Sequence, residues 1–308
     1  MHVSVLLRES LEGLNIKDNG IYVDCTLGYG GHSSEILKRI KRDGHLFAFD
    51  QDNEAINSSK KRLGEISNNF DIINSNFVNI KEELNKRGIE KVDGILFDLG
   101  VSSPQLDEDE RGFSFHHDAY LDMRMNQEQK LTAHYVVNNY TEEELSKIFF
   151  KYGEEKYARS IARNIVKSRE AKSIDTTLEL AEIIKSSVPM KARKEKHPAR
   201  KVFQAIRIEV NDELNVLEQA LKDSLQLLNI GGRISVITFH SLEDRIVKNI
   251  FREVSEIDPK VKGLPEIPEE YKPSFKLVNN KVIIPSEDEI NLNPRARSSK
   301  LRIIERIK

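Results

Sequence analysis

The stretch Val23-Asp24-Cys25-Thr26-Leu27-Gly28-Tyr29-Gly30-Gly31-His32-Ser33 constrains this chain most: a short apolar strand ends there in an acid and a glycine-rich turn. Such a turn lets backbone approach a nucleotide closely at the start of a following helix. Asp50 closes the next apolar run and lies 22 positions after Gly28, where a βαβ unit places an acid to grip ribose hydroxyls. Together they predict an adenosine-containing cofactor. The dinucleotide pattern G-x-G-x-x-G, started at Gly28, needs a third glycine where this chain has Ser33. That departure disfavours a pyrophosphate. S-adenosylmethionine has no phosphate but needs room over the turn and an acid near each end, which Asp24 and Asp50 supply.

The first hundred residues keep alternating strand and helix signals. Strands are predicted over 21–25, 45–50, 70–75 and 92–98, with amphipathic helices over 33–41, 54–63 and 80–86 between them. A parallel sheet with right-handed crossovers follows, and ligands of such sheets bind beyond the carboxyl ends of the strands. Asp24, Asp50, Asn76, Phe77 and Asp98 all fall there.

After Asp98 the alternation stops. Residues 99–125 are loop-like, and from Thr132 to about Ala205 every strong signal is helical. Thr141 to Glu144 predicts a capping box, and a helix beginning near Glu154 carries Lys156, Arg159, Arg163 and Lys167 on one side. A long helix from Pro198 keeps apolar positions through Leu228. Strand signals resume at Arg233, Ser241 to Asp244 reads as the next helix cap, and Lys281 to Ile284 with Lys300 to Ile307 predicts a final antiparallel pair. The expected division is therefore a sheet domain of residues 1–110 and 206–308 interrupted by a helical substrate-recognition domain, 111–205. An insertion between the fourth and fifth strands is a natural substrate lid.

Composition narrows the class. Charged residues make up 32% and hydrophobic ones 38%, and no apolar run approaches the roughly 20 residues that span a bilayer, so no membrane partner is expected and the cytoplasm is the expected compartment. The single cysteine, Cys25, excludes an internal disulfide and reads as a buried hydrophobe. A net charge of −2 hides eight basic residues against one acid from Lys185 to Arg207. Such a patch on a nearly neutral chain points to a polyanion at a defined face. His116 and His117 have no acid or cysteine at ligand spacing, so no metal is expected. His197 and His240 read as structural histidines beside helix starts rather than bases.

Asp98-Leu99-Gly100-Val101-Ser102-Ser103-Pro104-Gln105 is the second chemical signal. Methyltransferases acting on base amines keep a short polar-proline motif at the end of the fourth strand. The exocyclic amine of cytosine or adenine has its lone pair delocalised into the ring, so acceptors that bond its hydrogens favour the more tetrahedral nitrogen of an in-line displacement. Asp98, backbone carbonyls and Ser102 or Ser103 could be those acceptors.

With Arg111-Gly-Phe-Ser-Phe115, Leu121-Asp-Met-Arg-Met125, Lys196-His-Pro-Ala199, Phe203-Gln-Ala-Ile-Arg207, Phe239-His-Ser-Leu-Glu-Asp-Arg245 and Asn293-Pro-Arg-Ala-Arg-Ser-Ser299, this motif resembles the bacterial ribosomal small subunit RNA methyltransferase H family. The resemblance spans nearly the whole chain. It implies a Rossmann-like class I S-adenosylmethionine-dependent methyltransferase sheet with an inserted helical domain. It further implies methylation of the N4 amine of one cytidine in the decoding region of 16S ribosomal RNA, with that RNA within the small ribosomal subunit as partner. Its cofactor residues fall on Gly30, Gly31, His32, Asp50, Phe77, Asp98 and Gln105. Asp98 and Ser102 are the expected catalytic residues, and Arg159, Arg163, Lys167, Lys196, Arg200 and Lys201 the expected RNA contacts. Phe113, Phe115 and Phe239 are candidates to stack on a flipped base. An NAD-dependent oxidoreductase and a non-catalytic ribosome-assembly factor are the alternatives by class, and the oligomeric state is open, a homodimer among the options.

Overall fold

Residues 4–41, 43–101, 105, 108–195, 197–257, 260–261 and 264–308 are described by the structure, a computed structural model. Strands β1 (Ile21–Asp24), β2 (His45–Asp50), β3 (Phe70–Asn74), β4 (Val92–Asp98) and β5 (Leu228–Thr238) pair in parallel. Two more, β6 (Phe275–Leu277) and β7 (Lys300–Arg306), complete the sheet antiparallel, in the order β3-β2-β1-β4-β5-β7-β6. The order reverses beside β1, which opens a crevice at the carboxyl ends of β1 and β4.

Period-two alternation divides the strand residues between two helical layers. Val23, Phe47, Ile95 and Phe97 belong to one core with Leu217 and Leu221 of the helix Glu213–Leu227 and Val247 and Phe251 of the helix Ser241–Ser255. Tyr22, Leu46, Ala48 and Leu96 belong to another, with Leu11, Ile36 and Leu63 of the helices Leu7–Leu14, Gly31–Arg39 and Asn53–Gly64. Cys25 is buried in the first of these, and burial pushes its thiol well above the ordinary value.

The chain divides into two compact units, one of residues Met1–Gly100 and Leu214–Lys308, the other Val101–Glu213. The second is helical, with its own core built around Leu145, Phe149, Ile161, Ile165, Leu180 and Ile206. It is longer at both ends than the expected 111–205; at the C-terminal end the helix Ala199–Asn211 is continuous through position 206 and buries Ile206, Ile208 and Val210. The expected single helix from Pro198 to Leu228 is broken. Asp212 takes a left-handed conformation, φ 49°, ending one helix, and the next runs Glu213–Leu227.

Other expectations also shift. The capping box at Thr141 and Glu144 is present. At the later helix the cap is His240, not Ser241: its ring accepts from Glu243 N while the Glu243 side chain accepts from the His240 backbone. The segment Lys281 to Ile284 forms only one bridge, Ile283 to Leu301, and β7 pairs instead with β5 and β6. Lys156 precedes the helix Ala158–Ala171 instead of lying on it. No helix among the described residues is long and apolar enough to cross a membrane.

Candidate active site

β1 ends in Asp24, whose burial would be costly without partners. Asp24 Oδ2 accepts from Ser33 Oγ at 2.7 Å and Oδ1 from Thr26 N at 3.0 Å. The carboxyl still sits above its ordinary value because desolvation outweighs these bonds. Both oxygens thus hold the turn together. Gly28 (φ 49°) and Gly30 (φ 75°) occupy the left-handed region, and Gly30 caps the helix Gly31–Arg39. A Cβ at Gly28 would meet nothing nearer than the Thr26 carbonyl oxygen at 3.9 Å, so the turn leaves open space above it. A Cβ at Gly31 would instead run into the Ser4 side chain.

Asp50 braces the turn from β2. Its Oδ2 accepts from Gly28 N at 2.8 Å and its Oδ1 from Asp52 N at 2.9 Å. Desolvation raises this carboxyl to about 6, against the bonds from Asp52 and Gly28, with the Asp52 charge adding to the rise. Asn76, after β3, accepts from Val78 N at 3.0 Å and donates through Nδ2 to Gln51 Oε1 at 3.2 Å. Phe77 follows, half-buried and edge-on to Phe97 with centroids 5.6 Å apart.

Asp98 ends β4, and its backbone N–H donates to Thr26 Oγ1 at 2.7 Å, which ties the two central strand ends together. Its Oδ2 lies 3.5 Å from His32 Nδ1. Its Oδ1 is buried with no hydrogen-bond partner among the described residues. Desolvation, then the nearby charges of Asp24 and Glu243, hold the Asp98 carboxyl well above the ordinary carboxylate range. An acceptor that is buried, unmet and crowded by like charge lowers its energy by meeting a cation or an acidic N–H.

Gly30, Gly31, His32, Asp50, Phe77 and Asp98 therefore all lie at the strand ends of the first unit. Gln105 is buried in the second. Ser102, Ser103, Pro104 and Lys196 lie outside the described residues. Arg159, Arg163 and Lys167 are exposed on the helix Ala158–Ala171, with Arg163 Nε 3.5 Å from Glu142. Arg200 is exposed, and Lys201 Nζ donates to the Glu154 carbonyl at 2.7 Å. Phe113 is buried with the Arg111 guanidinium 5.9 Å from its centroid, Phe239 packs in the first unit, and Phe115 is half-buried.

Sequence reasoning missed four contributors. Thr26 and Ser33 satisfy Asp24, and Ser59 Oγ donates to the Gly28 carbonyl at 2.6 Å. Hydroxyl residues flanking a glycine turn were the available signal for the first two. Glu243 joins the Asp24 and Asp98 charges from a remote part of the chain, which no local pattern reveals.

A doubly wound sheet closed by an antiparallel β7, with a glycine turn and an acid at successive strand ends, defines a class I S-adenosylmethionine-dependent methyltransferase. The chain belongs to the MraW methylase family, whose model matches residues 1–307. The open space over Gly28, the Asp50 carboxylate and the unmet Asp98 Oδ1 fit the cofactor. Among solved structures, the chain is similar to an rRNA methylase from Streptococcus thermophilus at 12% identity, covering 100% of this chain and 99% of that one with a TM-score of 0.44. It is also similar to an S-adenosylmethionine-dependent O-methyltransferase from Thermotoga maritima, at 8% identity, 100% and 68% coverage and a TM-score of 0.41.

Proposed function

We propose that this methyltransferase acts on RNA, transferring a methyl group to the N4 amine of a cytidine in the decoding region of 16S ribosomal RNA within the small subunit. The observation that carries the reading is Asp98 Oδ1, a buried acceptor with nothing to accept, at the strand end beside the cofactor turn. Bound S-adenosylmethionine supplies an electrophilic methyl group on a sulfonium. Gly30, Gly31 and His32 form the turn that holds it, Asp50 takes its ribose hydroxyls and Phe77 packs against its adenine. Asp98 accepts a hydrogen of the target amine, which directs the nitrogen lone pair outward, and takes up the proton released on transfer. Ser102 is a second acceptor in this reading, and Gln105 a further cofactor contact. The cytoplasm is where such a substrate is found. The test is nucleoside analysis of 16S ribosomal RNA from cells lacking this protein, before and after incubation of their small subunits with protein and cofactor. N4-methylcytidine appearing only on incubation is the expected outcome; a ring-carbon or ribose product would refute the amine chemistry.

Asp50 makes cofactor affinity depend on pH. Hydroxyl donors favour the ionised carboxylate, so binding is full above about pH 6 and weakens as pH falls through that value, by about tenfold per unit well below it. Stability runs the other way for this group. Its folded value of about 6 exceeds the ordinary 3.8, so its contribution to stability is complete below about 3.8 and lost as pH rises through about 6. Calorimetric titration with S-adenosylhomocysteine between pH 5 and 8 measures the first effect. The component centred near 6 should vanish in Asp50→Asn, and a flat parent profile would contradict the assignment.

We further propose that the helical unit grips the RNA, its exposed Arg159, Arg163 and Lys167 meeting phosphates, with Lys196, Arg200 and Lys201 near the next helix start. Each lost phosphate contact should flatten the dependence of log affinity on log salt by about one unit, equally for all sequences. An Arg159→Ala/Arg163→Ala double variant is expected to lose about two units of slope while binding S-adenosylhomocysteine normally. Small-subunit affinity against salt checks this; an unchanged slope would make these arginines a solvated face.

A further inference from the structure

Within the helical unit, Phe115 packs against the core and is the centre of a ring cluster that reaches the surface. Its half-buried ring contacts core residue Phe203 edge-on, with centroids 5.5 Å apart and an interplanar angle of 77°. His197 stacks on it at 4.6 Å and 19°, and His116 leans against it at 4.4 Å and 44°. Both histidines are exposed. His197 is held at two points: its face lies on Phe115, and its Nδ1 accepts from Ala199 N at 3.3 Å. An exposed ring fixed in this way has already lost the rotamer freedom that a mobile side chain surrenders on binding.

Its charges limit what it can meet. Desolvation, then His116 and Lys185, lower the His197 pKa, with Glu182 opposing, so the ring is neutral near pH 7. Lys185 and Glu182 pair with each other at 3.0 Å. Exposed Lys191 and Arg200 flank His197 along the chain, beside the start of the thirteen-residue helix Ala199–Asn211. A neutral flat ring among cations is suited to a nucleobase whose phosphate is anionic, since base stacking on aromatic rings and backbone attraction work together. A second stack, Tyr120 on His134 at 5.2 Å and 21°, lacks this setting: His134 Nε2 lies 3.0 Å from Asp175. That carboxylate repels phosphate.

We infer that the Phe115–His197 stack is a platform on which one unpaired nucleobase of an RNA substrate rests, its phosphate met by Arg200 or Lys191. The inference rests on the RNA reading above and adds the binding place. Loss of one base stack weakens affinity by roughly fivefold to a hundredfold.

Binding of a 16S RNA transcript, by filter retention, and of small subunits, by cosedimentation, to protein saturated with S-adenosylhomocysteine tests it. His197→Ala should bind about tenfold more weakly, and Tyr120→Ala, the control stack, like the parent. Because Ala also removes the acceptor for Ala199 N, two more variants separate stacking from capping. His197→Phe keeps a ring and should recover affinity to within about threefold, whereas His197→Asn keeps an acceptor and should stay weak. Rescue by Asn and not Phe would make the role a helix cap and overturn the platform. Parent-like affinity in all His197 variants would overturn it while leaving RNA binding intact; a parent protein that binds S-adenosylhomocysteine but neither the transcript nor the small subunit would overturn both readings.

Discussion

Asp98→Asn is expected to lower the rate of methyl transfer by about a hundredfold or more at saturating cofactor, while the folded protein stays as stable as the parent or becomes more so. The two effects separate because the carboxylate is unfavourable where it stands. It is desolvated, it faces the charges of Asp24 and Glu243, and one of its oxygens has no partner among the described residues. An amide of the same shape relieves the repulsion but cannot take a proton, and it offers a weaker acceptor to an amine. Single-turnover transfer to small subunits lacking the modification gives the rate, and thermal denaturation gives the stability. A rate within about threefold of the parent would remove Asp98 from the chemistry. Activity and melting temperature falling together would make its role structural.

Asp50→Ala should weaken binding of S-adenosylhomocysteine by about a hundredfold, ~3 kcal/mol, because it removes a charged acceptor and leaves two backbone donors unmet. Those donors, Gly28 N and Asp52 N, are the means by which β2 holds the glycine turn. Asp50→Asn keeps one carbonyl oxygen and should fall between the two. Calorimetry at pH 7.5 decides it: an affinity within threefold of the parent for Asp50→Ala would place the ribose elsewhere.

Much of this site was legible because it is local. The apolar runs ending in Asp50 and Asp98 have the observed strand bounds, His45–Asp50 and Val92–Asp98, since uninterrupted burial leaves no other period. What failed was decided by contacts distant in sequence. The helix after Pro198 reads as continuous because Val210, Leu214 and Leu217 keep its period. Asp212 breaks it, and Arg207 spans the break with bonds of 2.8 and 2.9 Å to Glu213. Lys281 to Ile284 has strand-like composition, yet Ile303 N of β7 donates to the Asn279 side chain at 2.9 Å, so a side-chain amide takes a ladder position there. At His240, an imidazole does the work usually read from Ser or Thr. The carboxylate cluster draws on positions 24, 98 and 243, which only the folded sheet unites.

The insertion also bears on how the chain reaches its native state. Gly94 pairs with Arg233, so the centre of the sheet closes across a very long separation, and such non-local pairing slows folding. The helical unit has its own core, Val101 packs on that core, and Glu213 is clamped by Arg207. Both ends of the intervening chain are therefore anchored once that unit condenses. Collapse of the helices first would replace a long flexible loop by a structured connector, leaving β5 a much shorter search for β4. Defects in the helical core would then appear as slow or aggregating refolding of the sheet, even where no residue of the cofactor turn is changed.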